Sequence, residues 1–416
     1  MDATERSRPE VADLSRRGRV VLVTAGFVAV AICLALALSL VKERDAYKAA
    51  AVRAPVSSTG PGFGLALYQT LGERMRAGHE EELLPNGTIF DGLDAAIRGA
   101  ASSVHIEVFI WTKGAASDRL LTALEQRRPG VVCRILADDV GSPFFDRDIR
   151  PRLEKAGCEA RVFRPAQLQG DLLSRTHRKL VIVDGTMAFT GGFGIRDEWL
   201  GDGVTNDAWR DTNVRFTGPS VLDAQQAFSM HWHDAGGGLL PPESFPGFDP
   251  TAAPPTTGSL GVFIASASTG GTSRAERLLR LLIASAKSRL WIANAYFVPP
   301  KDLLDRMKEE AHEGVDVRIL LPGAKSDSTI SRGSQHVSYG DLIANGIKFY
   351  EYAPSMMHAK TIVVDSEVAM VSSINLDELS FDKLEEDAFV VQDAAFAARL
   401  ADSFEQDLKH ATPVTR

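Results

Sequence analysis

The chain has 416 residues, 44% of them hydrophobic and 24% charged, the balance of a globular protein long enough for two domain-sized cores. Its net charge of −8 argues against a non-specific nucleic-acid binder, which draws most of its affinity from phosphates neutralised by lysine and arginine. No nucleic-acid partner is expected.

Residues 20–41 form a run of 22 without a charge, VVLVTAGFVAVAICLALALSLV. A helix of that length spans the hydrocarbon thickness of a bilayer, about 30 Å. A cleavable leader would carry a shorter apolar region, about 7–15 residues, ending at a small-residue cleavage site. This run is longer and meets Lys42-Glu43-Arg44, so it is read as a retained single-pass anchor in the cell membrane. Arg6, Arg8, Arg16, Arg17 and Arg19 precede it; Lys42, Arg44, Lys48 and Arg53 follow it. The cluster at 16–19 assigns residues 1–19 to the cytoplasm and the large domain to the outside.

Residues 42–85 read as a connecting region, with a Ser/Gly/Pro stretch over 55–64 and a helix over 65–76. Beyond it two segments resemble each other. The first, 86–235, contains AAIRGAASSVHIEVFIW, then SDRLLTALEQRR, then GVVCRIL; the second, 262–416, contains LLIASAKSRLWIANAYF, DLLDRMKEEAHE and GVDVRILL. Gly130-Val131 and Gly314-Val315 take the same place, after a helix and before a β-rich run. The order β-α-β-α-β-β in each segment implies an α/β architecture with helices packed on a buried sheet. Between the segments, 236–261 is rich in Pro and Gly and reads as a surface connection.

Cys133 and Cys158 fall in strand-like segments and are read as free, buried, small hydrophobes; a disulfide between them stays open for an exported domain. His231 and His233 sit two apart in a helical stretch, where side chains do not converge, so no metal site is assigned to them.

Each segment then reaches a histidine strand. In THRKLVIVDGTMAFTGG, His177 and Lys179 leave the same face of a strand, and Asp184-Gly185 turns it back on itself. In MHAKTIVVDSEVAMVSS, His358, Lys360 and Asp365 repeat the spacing, with a small pair beginning 14 residues after each histidine: Gly191-Gly192 and Ser372-Ser373. One His-x-Lys carries no information; the same spaced set twice, inside two similar segments, does. The residue types suit phosphodiester chemistry. Two lysines neutralise non-bridging oxygens as charge builds, one imidazole attacks phosphorus, and a second serves the leaving and entering oxygens.

This paired pattern, with EVFIW, GVVCRILADDVGS, AWRDTNVRFTGPSV, ANAYFVPP and SINLDELSF around it, resembles the phospholipase D superfamily and, within it, the bacterial cardiolipin synthase branch, over about residues 86–411. The resemblance implies two tandem phospholipase D-like α-β-α repeats related by a pseudo-two-fold axis, with one site between them. It implies catalytic His177, Lys179, Asp184, His358, Lys360 and Asp365, with His177 the nucleophile and His358 the acid/base. Asp184 and Asp365, as turn residues, are read as holding the hairpins. Glu386 is expected to orient His358, and Asp211 to orient His177. Asn375 is expected to contact phosphate. The first half has Gly194 where relatives have that asparagine, and Leu384 also departs from the family pattern. The implied activity is phosphatidyl transfer from phosphatidylglycerol, without metal or other cofactor, at a bilayer. Hydrolysis of a phosphodiester and an inactive membrane scaffold are the competing readings. Oligomeric state is not legible.

Overall fold

Turn residues and apolar periodicity punctuate the chain into the following elements. In the computed structural model, residues 57–165, 173–205, 208–249, 251, 253, 255–267 and 272–415 are described. The expected membrane segment, 20–41, lies outside them; no helix among the described residues is long and apolar enough to cross a membrane.

Helix α1 (Pro61–Leu71) starts at a proline, which pre-sets the first turn, and stops at Gly72 in the left-handed conformation (φ 77°). The expected helix over 65–76 is therefore displaced toward the N-terminus, and Arg76 opens strand β1 (Arg76–His79). Then come β2 (Glu81–Pro85), α2 (Thr88–Gly99), β3 (Ser103–Val108), α3 (Ala115–Glu125), β4 (Val132–Asp138), α4 (Arg150–Lys155) and β5 (Glu159–Phe163). The first repeat closes with β6 (Arg175–Thr176), β7 (Lys179–Val183), β8 (Met187–Gly191), β9 (Thr212–Thr217) and α5 (Ser220–Asp234).

Strand β10 (Ser259–Ser266) begins inside the Pro/Gly-rich connection. After it come α6 (Arg274–Ala284), β11 (Arg289–Ala293), β12 (Phe297–Val298), α7 (Lys301–His312), β13 (Asp316–Pro322), α8 (Thr329–Ala344) and β14 (Lys348–Tyr352). The chain finishes with β15 (Thr361–Val364), β16 (Val368–Ser372), β17 (Leu376–Asp377), α9 (Glu378–Asp382), β18 (Leu384–Gln392), α10 (Ala394–Leu408) and β19 (Ala411–Pro413).

The repeat is visible in strand order. The first sheet runs β2-β9-β8-β7-β3-β4-β5; the second runs β1-β10-β18-β16-β15-β11-β13-β14-β19. Six strands correspond in order, β9-β8-β7-β3-β4-β5 with β18-β16-β15-β11-β13-β14. In both, three parallel strands adjoin an antiparallel hairpin, β7–β8 or β15–β16. The segment just before Asn86 contributes to both sheets: β2 pairs with β9, and β1 with β10.

Strand alternation divides the apolar residues among three cores. Val181 and Val183 point with Val104 and Ile106 into the first half's own core, against Leu93 of α2 and Leu120 of α3. Ile362 and Val364 do the same in the second half, against Leu282 of α6 and Leu303 of α7. The intervening residues, Leu180 and Ile182 from one sheet and Val363 and Val371 from the other, share a third core with α5 and α10. There Phe216 stacks on Phe389 with ring centroids 4.1 Å apart. At about 1.5–3 kcal/mol for each fully buried large apolar side chain, this shared core makes the two halves one body.

Cys133 and Cys158 form a disulfide, against the free-thiol reading. Strands β4 and β5 are parallel neighbours, and this pairing, not the spacing in sequence, brings the two Cα atoms within 4.5 Å.

Candidate active site

The two histidines are placed by backbone pairing between the halves. Strand β6 lies parallel to the start of β18, pairing Arg175 with Leu384 and Thr176 with Glu385. The N–H of His177 then donates to the carbonyl of Glu385 at 2.7 Å. The other side repeats this: Arg210 and Met357 form a parallel bridge, and the N–H of His358 donates to the carbonyl of Arg210 at 2.7 Å. Each histidine is thus docked beside the residue that precedes the other half's carboxylate.

The side chains follow. His177 Nδ1 lies 3.0 and 2.9 Å from the two oxygens of Glu386, and His358 Nδ1 lies 3.2 Å from Asp211 Oδ2. This is the reverse of the sequence expectation, which paired Asp211 with His177 and Glu386 with His358. Counting along the chain cannot reveal that the strands cross.

Burial, then Lys179 and Lys360, hold the His177 pKa well below the usual value. Burial, then Lys360 and Lys179, do the same to His358. Both rings are therefore neutral at pH 7. A neutral ring that donates from Nδ1 to a carboxylate keeps its Nε2 lone pair free.

The carboxylates are themselves held. Glu386 accepts from the hydroxyls of Ser373 and of Ser380, the latter at 2.7 Å. Asp211 accepts from the indole N–H of Trp199 and the backbone N–H of Thr212, both at 2.7 Å. Gly192 and Ser373 occupy equivalent positions after their histidines but do different work. A Cβ at Gly192 would lie 2.4 and 2.5 Å from the oxygens of Asp211 and 2.7 Å from the carbonyl of His358, so only glycine leaves that carboxylate its place. Ser373 uses the corresponding space to reach Glu386. Burial pushes Glu386 up to about 7 and Asp211 up to about 6.

Lys179 Nζ donates to the carbonyl of His177 at 2.5 Å; Lys360 Nζ donates to that of His358 at 2.7 Å and lies 2.9 and 3.0 Å from its ring nitrogens. Burial lowers Lys179 to about 8 and Lys360 to about 7. An arriving anion opposes that shift and favours the ammonium form of both. Phe109 meets the His177 ring at 5.1 Å, while Trp199, Trp209 and Tyr296 surround His358 at 5.1, 5.0 and 6.4 Å.

Asp184 and Asp365 are elsewhere. Asp184 follows β7, about 16 Å along the strand from Lys179 at roughly 3.3 Å per residue. Its carboxylate accepts from the backbone N–H groups of Ala101, Ser102 and Ser103 at the start of β3. Asp365 accepts likewise from Lys287, Ser288 and Arg289 before β11. Both have positive φ, 55° and 50°, as the turns require. They fasten hairpin to sheet and do not reach the histidines.

Asn375 is buried; its N–H donates to Ser380 Oγ at 3.2 Å, and its side-chain oxygen has no partner among the described residues. Gly194 replaces the corresponding asparagine because Trp199 occupies the space: a Cβ there would already lie 3.0 Å from the indole and 3.2 Å from Ile110.

Sequence reading missed Trp199, Ser380 and a buried bridge behind the site. His231 on α5 lies with Nδ1 2.6 Å from Glu107 and with Nε2 against Glu385, so one imidazole ties two carboxylates from different halves. Burial and Arg178 push its pKa down, but Glu107 and Glu385 outweigh them and raise it. Helical spacing marked His231 as unfit to pair with His233; nothing in the sequence marked its carboxylates.

A family model described as "Cardiolipin synthase, PLD-like domain" matches residues 93–232 and 279–408. Cardiolipin synthase 1 of Bacillus cereus is 33% identical over 346 residues, covering 80% of this chain and 67% of that protein. The major cardiolipin synthase of Bacillus subtilis is 33% identical over 330 residues, covering 77% and 66%. The chain thus spans about two thirds of the length of these relatives. Among solved structures, phosphatidylserine synthase of Haemophilus influenzae shares the fold, with a TM-score of 0.62 at 12% identity, over 84% of this chain and 92% of that one.

Proposed function

This chain belongs to the cardiolipin synthase family of phospholipase D-like enzymes, and from that membership we propose that it moves a phosphatidyl group from one phosphatidylglycerol to a hydroxyl of another. The reading rests on one observation: two neutral imidazoles, each held at Nδ1 by the other half's carboxylate, with two buried lysines beside them.

His177 Nε2 attacks the donor phosphorus. The negative charge of the bound phosphate offsets the two lysines that depress His358, so that ring takes up a proton from solvent in the complex. The P–O bond to the glycerol headgroup then breaks as the P–N bond forms, and His358 gives its proton to the leaving oxygen. Charge on the phosphoryl oxygens is met by Lys179 and Lys360 and by the Asn375 amide. His358, now neutral, takes the proton of the accepting hydroxyl, which attacks phosphorus and releases His177. Glu386 assists by stabilising the cationic His177 intermediate, and Asp211 by stabilising protonated His358.

Residues 20–41 anchor the enzyme in the bilayer that holds its substrate, with the catalytic body on the outer side. The Cys133–Cys158 disulfide supports that side, since such bonds persist in oxidising compartments. Periplasm- or cytoplasm-restricted reporters fused to the C-terminus test the orientation; activity only of the cytoplasmic reporter overturns it.

The activity is tested with purified enzyme and labelled phosphatidylglycerol in vesicles. Diphosphatidylglycerol with free glycerol is the expected pair of products. Phosphatidic acid alone would replace transfer with hydrolysis.

A further inference from the structure

The two halves differ at the position where the family resemblance puts a phosphate-contacting asparagine. The second half keeps it as Asn375; the first has Gly194 and, two residues on, Arg196. The Arg196 guanidinium sits over an aromatic pair, its carbon 4.9 Å from the centre of the Trp209 ring and 5.5 Å from that of Trp199. These are the rings that line His358 at 5.0 and 5.1 Å. Nε of Arg196 donates to Glu198 Oε2 at 2.7 Å, but neither Nη has an acceptor among the described residues. The side chain is 31% exposed, so it is neither sealed in a core nor free in solvent. Its charge acts on both His358 and the Tyr296 hydroxyl, which donates to Asp327.

A guanidinium held over indole is pre-oriented, and two free Nη groups match the paired oxygens of a phosphate. It stands one aromatic ring away from the histidine that serves the accepting hydroxyl. We propose that Arg196 holds a second phosphate, the unreacted one of the accepting phosphatidylglycerol, a glycerol's length from the hydroxyl that His358 deprotonates. The inference rests on the phosphatidyl-transfer reading above and adds the acceptor's recognition to it. Water and free glycerol carry no such charge, so the site favours transfer to lipid over both. Glu198 is the resident counter-charge, which the incoming phosphate displaces or shares.

The test uses the full-length enzyme in phosphatidylglycerol vesicles with labelled free glycerol in the buffer. Two products form from one phosphatidyl-enzyme: diphosphatidylglycerol, from the charged acceptor, and labelled phosphatidylglycerol, from the uncharged one. In Arg196→Gln the ratio of the first to the second falls at least about tenfold, the loss expected for a hydrogen bond to a charged group. Arg196→Lys recovers part of that ratio by keeping the charge. An unchanged ratio in Arg196→Gln, whether both products persist or both fall in proportion, overturns the proposal. If the native enzyme itself yields no diphosphatidylglycerol, the transfer reading fails instead, and the two failures are distinct.

Discussion

His177 with Glu386 and His358 with Asp211 have the same backbone geometry and different surroundings. Both N–H groups dock on the residue before the partner carboxylate at 2.7 Å. Yet Glu386 is held by two serine hydroxyls, and Asp211 by an indole and a backbone N–H. One histidine has a polar cradle and a single phenyl edge; the other is walled by three aromatic rings. Duplication conserved the scaffold that places the rings, while side chains on each side became specialised. The lesson is that backbone pairing across the halves fixes which carboxylate serves which histidine, and that the asymmetry needed for two chemical roles is built around it.

The largest effects should come from removing the rings. His177→Ala and His358→Ala each lower turnover at least about 10³-fold with unchanged circular dichroism. The asparagine variants at the same two positions separate the roles on a donor with a nitrophenyl leaving group, which needs no acid. His358→Asn then still forms the covalent adduct, detectable as label on the protein, and His177→Asn does not; label on His177→Asn would reverse the assigned roles.

The crossed pairing is tested by Glu386→Gln and Asp211→Asn, each expected to cost about 10²-fold in kcat. In double-mutant cycles Glu386 should couple with His177 and Asp211 with His358. Coupling of Glu386 to His358 alone would restore the uncrossed arrangement.

Behind the site, His231 and Asp407 are contrasting ties between halves. His231→Ala leaves Glu107 and Glu385 facing each other in the core and should cost about 3 kcal/mol of stability. Asp407→Ala removes the 2.6 Å partner of Arg210 Nε, but that guanidinium keeps Thr212 and Ser403, so about 1–2 kcal/mol is expected. Urea unfolding ranks the two; equal midpoints would deny His231 its bridging part.

The smallest effects belong to the matched turns. Asp184→Asn and Asp365→Asn each keep a residue that tolerates positive φ and should cost about 1–2 kcal/mol, with kcat within a few-fold. At Asp184, burial raises the carboxyl pKa, but the N–H groups of Ser103, Ser102 and Ala101 outweigh it and hold the carboxyl below its usual range. At Asp365, burial is outweighed by Ser58 and the N–H groups of Arg289, Ser288 and Lys287. A folded pKa below the unfolded one gives stability that is present above the usual carboxylate range and lost as pH falls through the folded value. Native enzyme should therefore lose its advantage over both variants below about pH 4. An advantage that persists undiminished below pH 2 would show the turns are held by something else.

The sequence by itself determined the repeat, the α/β class, the two His-x-Lys motifs and the turn role of Asp184 and Asp365. These are written in short-range spacing: alternation along a strand, glycine after a helix, aspartate at a tight turn. The strands expected to carry both residues of each motif start later, at Lys179 and at Thr361. Tertiary structure alone decided the Cys133–Cys158 bond, the exchange of Asp211 and Glu386 between histidines, and the gathering of His231, Trp199 and Arg196 around the centre. Each of these depends on which strands lie side by side, and strand neighbours are chosen by the burial of whole sheet faces, a long-range quantity that no local spacing encodes.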